Sequence, residues 1–272
     1  MINAVGNRMT ADIRRQSALA EAISDTQISV SSARRMQRAS DDPLAAAQVS
    51  TLRRTQADEL TWAANMDRGI SLAAQADGVA QSLNDRLARV MELTISGASA
   101  TMPQSARSTI AAEIESIAAE VAALSDTKTP SGQPLFPSSP ARNFRFAGGV
   151  EFAPVPDRSA LFETSGQSIT QQITDIAAAI RAQNPAAITQ AQALVNHGSD
   201  AAAAIGITAA RLDRLSDANA SRSIDVSAAR SKLEDTDLSV AIAKLNAQTV
   251  TLEAAQAAFA RINRTTLFDI LR

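Results

Sequence analysis

The chain has 272 residues, no cysteine and a formal net charge of −2. Near-neutral charge leaves no strong field to recruit nucleic acid or an anionic membrane, and the missing cysteine excludes disulfides, thiolate nucleophiles and thiolate metal sites. Hydrophobic residues make up 45% but aromatics only 3%, with Trp62 the sole tryptophan and much of the apolar fraction alanine, so thin, closely packed helices are expected.

At the N-terminus, Ile2, Val5, Met9, Ile13, Leu19, Ile23 and Val30 recur at intervals of three, four or their sums, which stacks them on one helix face. The same stretch carries Asp12, Arg14, Arg15 and Glu21 and so lacks the uninterrupted apolar core of a secretory signal peptide. The spacing predicts a helix to about Arg38. There Ser40-Asp41-Asp42-Pro43 supplies side-chain oxygens to cap free N–H groups and a proline suited to a first helical turn.

A second helical pattern runs from Leu44 to about Ser96, with Val49, Leu52, Leu60, Ile70, Leu72, Val79, Leu83, Leu87, Val90 and Leu93 on its buried side. Gly69 and Gly78 weaken it without breaking it. After an interruption from Gly97 to Pro103, Ser105 to about Ser125 presents Ile110, Ile114, Ile117, Val121 and Leu124 at helical spacing.

Between Thr127 and Gly166 the composition changes to proline, glycine and phenylalanine, and a non-helical insert is expected. Phe144-Arg145-Phe146 and Val150-Glu151-Phe152 alternate apolar and charged residues around Ala147-Gly148-Gly149, which predicts a short hairpin resting on the helices. Helical spacing resumes with Ile169, Ile173, Ile176 and Ile180, breaks at Asn184-Pro185, and continues through Leu194, Ile205, Leu212, Leu215, Ile224 and Val226. Asp235-Thr236-Asp237 marks the start of a last helix, whose Leu238, Ile242, Leu245, Leu252, Phe259 and Ile262 form a second apolar seam.

The pattern is mainly α: an elongated out-and-back helical bundle with paired, coiled-coil-like terminal helices and a small β-containing insert. Three parts follow: a terminal assembly domain of 1–39 with 234–272, a helical core of 40–126 with 167–233, and the insert at 127–166. The two terminal seams are expected to pack on each other and on other copies, since two thin rods roughly 50 Å long leave apolar surface uncovered.

No catalytic constellation emerges. His197, the single histidine, reads as a surface or helix-end residue, and a di-metal bundle needs a histidine from each of two helices. Asp41 and Asp42 read as caps rather than an acid-base pair, and Gly148-Gly149 as a turn rather than a phosphate loop. Arg34, Arg35 and Arg38 lack interleaved aromatics, which favours a solvated helix end or acidic neighbours over nucleic acid. No serine stands in a Gly-x-Ser-x-Gly elbow. No stretch approaches the roughly 20 apolar residues of a membrane span. No enzyme activity, cofactor, metal or stable membrane insertion is expected.

Several runs together resemble the flagellin superfamily, and within it the hook-associated branch. Gln27-Ile28-Ser29, Arg34-Arg35 and Ala39-Ser40-Asp41-Asp42-Pro43-Leu44-Ala45-Ala46 look like its N-terminal signature. The proline in that run is more typical of junction proteins than of filament flagellins. Ala64-Asn65, Gly69-Ile70-Ser71-Leu72 and Leu87-Ala88-Arg89-Val90-Met91-Glu92-Leu93 resemble the long first core helix. Leu233-Glu234-Asp235-Thr236-Asp237-Leu238 and Leu252-Glu253-Ala254-Ala255 are similar to the C-terminal signature. The resemblance covers 1–126 and 205–272. Two departures bear on the branch: Ser29-Val30-Ser31-Ser32-Ala33-Arg34-Arg35 replaces the usual Ser-Thr-Gly-Lys-Arg segment, and the ending Leu267-Phe268-Asp269-Ile270-Leu271-Arg272 is as close to filament flagellins.

The resemblance implies an extracellular structural subunit of the bacterial flagellum, exported without a cleaved signal through the type III pathway and joining hook to filament. Its implied partners are other copies of itself, flagellin, an adjacent hook-associated protein and an export chaperone. In the family the termini form an inner tube and the insert faces outward. A filament flagellin is the alternative reading, and an amphipathic membrane-surface protein is the alternative of another class, opposed by the low charge and absent aromatic anchors.

Overall fold

Alanine-rich runs with larger apolar residues three and four apart favour helices whose apolar stripe must be covered by a neighbour. The computed structural model describes residues 2–138 and 142–270, with side chains described over 9–138 and 142–261. Its elements are α1 (Ile2–Ser32), α2 (Pro43–Gly97), α3 (Gln104–Ser125), β1 (Phe144–Ala147), β2 (Val150–Phe152), α4 (Arg158–Phe162), β3 (Glu163–Thr164), β4 (Gln167–Ser168), α5 (Ile169–Arg181), α6 (Ala186–Glu234) and α7 (Leu238–Ile270). They group into two compact units, Met1–Gln56 with Ile224–Arg272, and Ala57–Ser223.

The Ala57–Ser223 unit holds the larger core. Leu83, Leu87 and Val90 of α2 meet Ile114 and Val121 of α3, Ile169, Ile173, Ile176 and Ile180 of α5, and Leu194 and Ile205 of α6. The four isoleucines of α5 follow a four-three-four spacing, and Ser168 caps the helix by accepting the Gln171 N–H at 3.2 Å. On α3 the buried stripe is Ala111, Ile114, Ile117, Ala118 and Val121, with Ile110 and Leu124 at its margin. Alanines at the centre permit a close helix approach that reading the large aliphatics alone does not show. Arg181 of α5 clasps Glu115 of α3, Nη2 to Oε2 at 2.9 Å. In the first turn of α3, the buried Arg107 donates to Met102 O at 2.7 Å and Gln104 Oε1 at 2.6 Å, which ties the helix start to the interruption after α2.

The expected hairpin forms at the expected place. β1 and β2 pair antiparallel, Phe144 opposite Phe152 and Arg145 opposite Glu151, with a register shift between Arg145 and Ala147. Gly149 in the connecting turn has φ +82°, a conformation that glycine adopts without the strain of a Cβ. Phe146, at the register shift, is fully buried against Met66, Ala73 and Leu212 and stands 4.5 Å from the Phe152 ring, centroid to centroid. Gly69 makes room for it, because a Cβ there would lie 3.0 Å from Phe146 Cε1. Asn65 Nδ2 donates to Arg145 O at 2.8 Å, satisfying a carbonyl on the strand, and the Arg211 guanidinium lies 4.1 Å over the Phe152 ring.

Two expectations are corrected. The 127–166 segment is not wholly non-helical: α4 puts Leu161 and Phe162 into the core, Phe162 meets Phe136 edge-on at 5.3 Å, and a second hairpin, β3–β4, follows. One helical turn is too short to show periodicity, and burial of two adjacent apolar residues holds it in place. The first helix also stops at Ser32 rather than near Arg38. Ala33 turns to φ +54°, and backbone bonds to Glu234 and Asp235-Thr236 replace further helical ones.

Phe146→Ala is expected to destabilise the Ala57–Ser223 unit by about 3–5 kcal/mol, since it empties a fully buried aromatic site. Urea unfolding measures the loss; an unchanged midpoint would mean that the hairpin does not brace the helices.

Candidate functional site

Within the Met1–Gln56 and Ile224–Arg272 unit, α1 and α7 pack antiparallel. The register is pinned at several levels. Arg35 N–H donates to Glu234 O at 2.8 Å and Thr236 N–H to Ala33 O at 3.0 Å, closing one end by a two-stranded bridge. Thr26 Oγ1 donates to Gln248 Oε1 at 3.0 Å or to Ala22 O at 2.8 Å, and Gln16 Nε2 donates to Ala255 O at 3.4 Å.

The covered positions follow an alternating three-four repeat. On α1 they include Gln16, Leu19, Ile23, Thr26 and Val30; on α7 they include Ala241, Leu245, Gln248, Leu252, Ala255 and Phe259. This is the spacing of a coiled-coil seam. Thr26 and Ala241 are its buried members, whereas Leu19, Ile23, Val30, Leu245, Leu252 and Phe259 are half-buried. Met9, Ile13, Leu238 and Ile242 remain exposed at 43%, 47%, 44% and 46%, and Ile13 and Ile242 fall beside the repeat rather than in it. The side chains of Ile2, Val5 and Ile262 lie outside the described ones. Reading only large aliphatics misses Gln16, Thr26, Ala241, Gln248 and Ala255. Their signal was the completed heptad spacing, which tolerates small and polar members.

The residues from Ser40 to Pro43 divide their work. Asp42 precedes α2, its Oδ1 accepts the Ala45 N–H at 3.0 Å, and Pro43 is the first helical residue. Asp41 instead closes the preceding turn: its Oδ2 accepts the Arg38 N–H at 2.8 Å and the Gln37 N–H at 3.0 Å. The Arg38 bond is the foremost cause of the lowered Asp41 pKa, and the Gln37 bond acts in the same direction. Ser40 stands exposed in that turn. Arg35 pairs with Asp42 at 3.4 Å. Beside the bridge, Glu234 receives Arg53 and Arg230, the latter at 3.3 Å, joining α2, α6 and the entry to α7. At that entry Asp237 Oδ1 accepts the Ser239 and Val240 N–H groups at 3.0 and 3.1 Å and caps α7.

His197 is corrected from a surface or helix-end position to the interior of α6. It is half-buried, with Nε2 3.3 Å from Leu161 O. Among the described residues no group of His, Cys, Asp or Glu is placed to hold a metal, and no helix is long and apolar enough to cross a membrane. Glu59 is buried, and among the described residues neither carboxylate oxygen has a hydrogen-bond partner.

The bacterial flagellin N-terminal helical region matches residues 3–140. The chain therefore belongs to the flagellin family. It is a structural flagellar protein, and flagellar proteins of this kind self-assemble and associate with other flagellar components. No curated protein matches the sequence. Among solved structures, a Vibrio parahaemolyticus protein described as a flagellar hook-associated protein is similar in fold, with a TM-score of 0.63 at 16% identity, covering 72% of this chain and 100% of that one.

Asp42→Ala is expected to cost about 0.5–2 kcal/mol in thermal unfolding through loss of the α2 cap. Asp41 titrates below the ordinary Asp value of about 3.9, so its contribution is complete above that pH and is lost as pH falls through its folded pKa. An acid titration should move the Gln37 and Arg38 amide resonances together in that range, and Asp41→Asn should abolish the shared transition.

Proposed function

We propose that this protein is a subunit of the hook-filament junction, built into the flagellum through its paired terminal helices. The observation that carries this is the α1–α7 pair, which holds a coiled-coil register yet leaves Leu245, Leu252 and Phe259 only half-covered and Ile13 and Ile242 exposed. This pair leaves part of its apolar surface uncovered, and further helices from neighbouring copies would complete the cover.

In this reading the segments 1–39 and 234–272 form the assembly domain, and the seam residues from Ile2 to Val30 and from Leu238 to Ile262 make its contacts. The helical core, 40–126 with 167–233, and the insert at 127–166 are the other two domains of this reading. Ser40-Asp41-Asp42-Pro43 and the likeness to a hook-associated protein favour the junction over the filament. Flagellin and an adjacent hook-associated protein are the proposed neighbours. Before assembly an export chaperone would cover the same seam, and the subunit would leave the cell through flagellar export without a cleaved signal. The role is mechanical: the helices slide and repack between subunits while the wall stays continuous.

Leu245→Glu and Leu252→Glu should reduce incorporation into flagella while leaving the unfolding of the Ala57–Ser223 unit unchanged, because a charge in a shared apolar seam is costly unless paired. Equal loss in both measurements would make the seam a purely internal core. Immunogold labelling with an antibody to the insert tests the location. Label confined to the hook-filament boundary is expected, and label along the whole filament would make the chain a flagellin.

A further inference from the structure

A cleft of about 630 Å³ lies inside the Ala57–Ser223 unit, between α2 and the proline-rich loop that leads into β1. Arg68, Leu72 and Gln75 of α2 form one side; Gln133, Arg142 and Val155 stand on the other. Its lining contains two arginines, four prolines and no carboxylate, in a protein whose net charge is negative. Several other arginines of this unit are paired: Arg86 with Glu120, Arg89 with Glu113, Arg145 with Glu151, Arg158 with Asp126 and Arg181 with Glu115. Arg68 and Arg142 make no ion pair among the described residues, and both are exposed.

We propose that this cleft docks an acidic peptide segment of a neighbouring subunit. Guanidinium groups on both sides offer forked donors to carboxylates, a geometry that lysine would not supply. Between them the half-buried Leu72 and Phe144 can receive an apolar side chain, and the Gln133 amide can bond to a peptide backbone. The volume lies within the range of sites that enclose a small ligand or a few peptide residues. The lining therefore suits a segment in which acidic and apolar residues alternate, rather than a uniformly charged polymer. That the segment comes from a neighbouring subunit rests on the assembly role proposed above; that the cleft binds it does not.

The test uses the full chain with 15N-labelled arginine and glutamine side chains and, as probe, an acetylated pentapeptide alternating glutamate and leucine. Saturable shifts at Arg68, Arg142 and Gln133 are expected. The double variant Arg68→Ala, Arg142→Ala should bind roughly ten-fold or more weakly, and its fold should persist because both side chains are exposed. The same pentapeptide with glutamine in place of glutamate should not bind. Absence of saturable shifts would overturn the proposal, as would equal shifts from the glutamine peptide or from sodium phosphate at matched ionic strength. Because binding is read on the unassembled chain, failure here is distinct from failure of the seam variants to enter flagella.

Discussion

The antiparallel register of α1 against α7 is the constraint on which the terminal unit depends. It is set by directional bonds rather than by apolar burial. The bridge of Arg34 with Asp235 ends α1 at Ser32, and the paired backbone bonds beside it fix where α7 begins. Farther along, Thr26 and Gln248 meet at 3.0 Å in a mainly apolar seam. A slipped register would part Gln248 from Thr26 and separate the paired backbone groups of the bridge, and an unmade bond in a covered seam costs more than a made one contributes. Apolar contacts tolerate sliding, whereas these bonds do not.

Charge and capping reinforce the same junction of elements. Glu234 at the end of α6 takes two arginines, while Asp41, Asp42 and Asp237 satisfy N–H groups of the turn, of α2 and of α7. The acidic runs on either side of the bridge are thus engaged with the backbone. This leaves the arginine cluster at Arg34, Arg35 and Arg38 as part of a structured turn, consistent with its lack of aromatic neighbours.

The Ala57–Ser223 unit is held differently. Its core is aliphatic, dominated by isoleucine and leucine from α2, α3, α5 and α6, and its few aromatics are concentrated where strands and loops meet helices. Phe146 and Phe162 supply the large apolar areas that a four-residue strand and a one-turn helix lack by themselves. Within this unit the buried phenylalanines stand where short elements need anchoring, and alanine stands where long helices approach.

Helices and their order were legible because three-four spacing persists over many turns in α1, α2, α5 and α7, and because Asp42-Pro43 and Asp237 carry start signals of their own. The hairpin at Phe144–Phe152 was legible for the same local reason, alternation around a glycine turn. The end of α1 at Ser32, the single turn of α4 and the interior place of His197 were decided by tertiary contacts, which no local pattern encodes. So was the composition of the terminal seam. Ile13 satisfies helical periodicity yet stands outside the heptad, while Thr26 and Gln248 break the apolar pattern yet join across it. Sequence by itself determines which face of a helix is apolar; only the packed partner determines how far along that face the contact runs, because register depends on groups brought together from opposite ends of the chain.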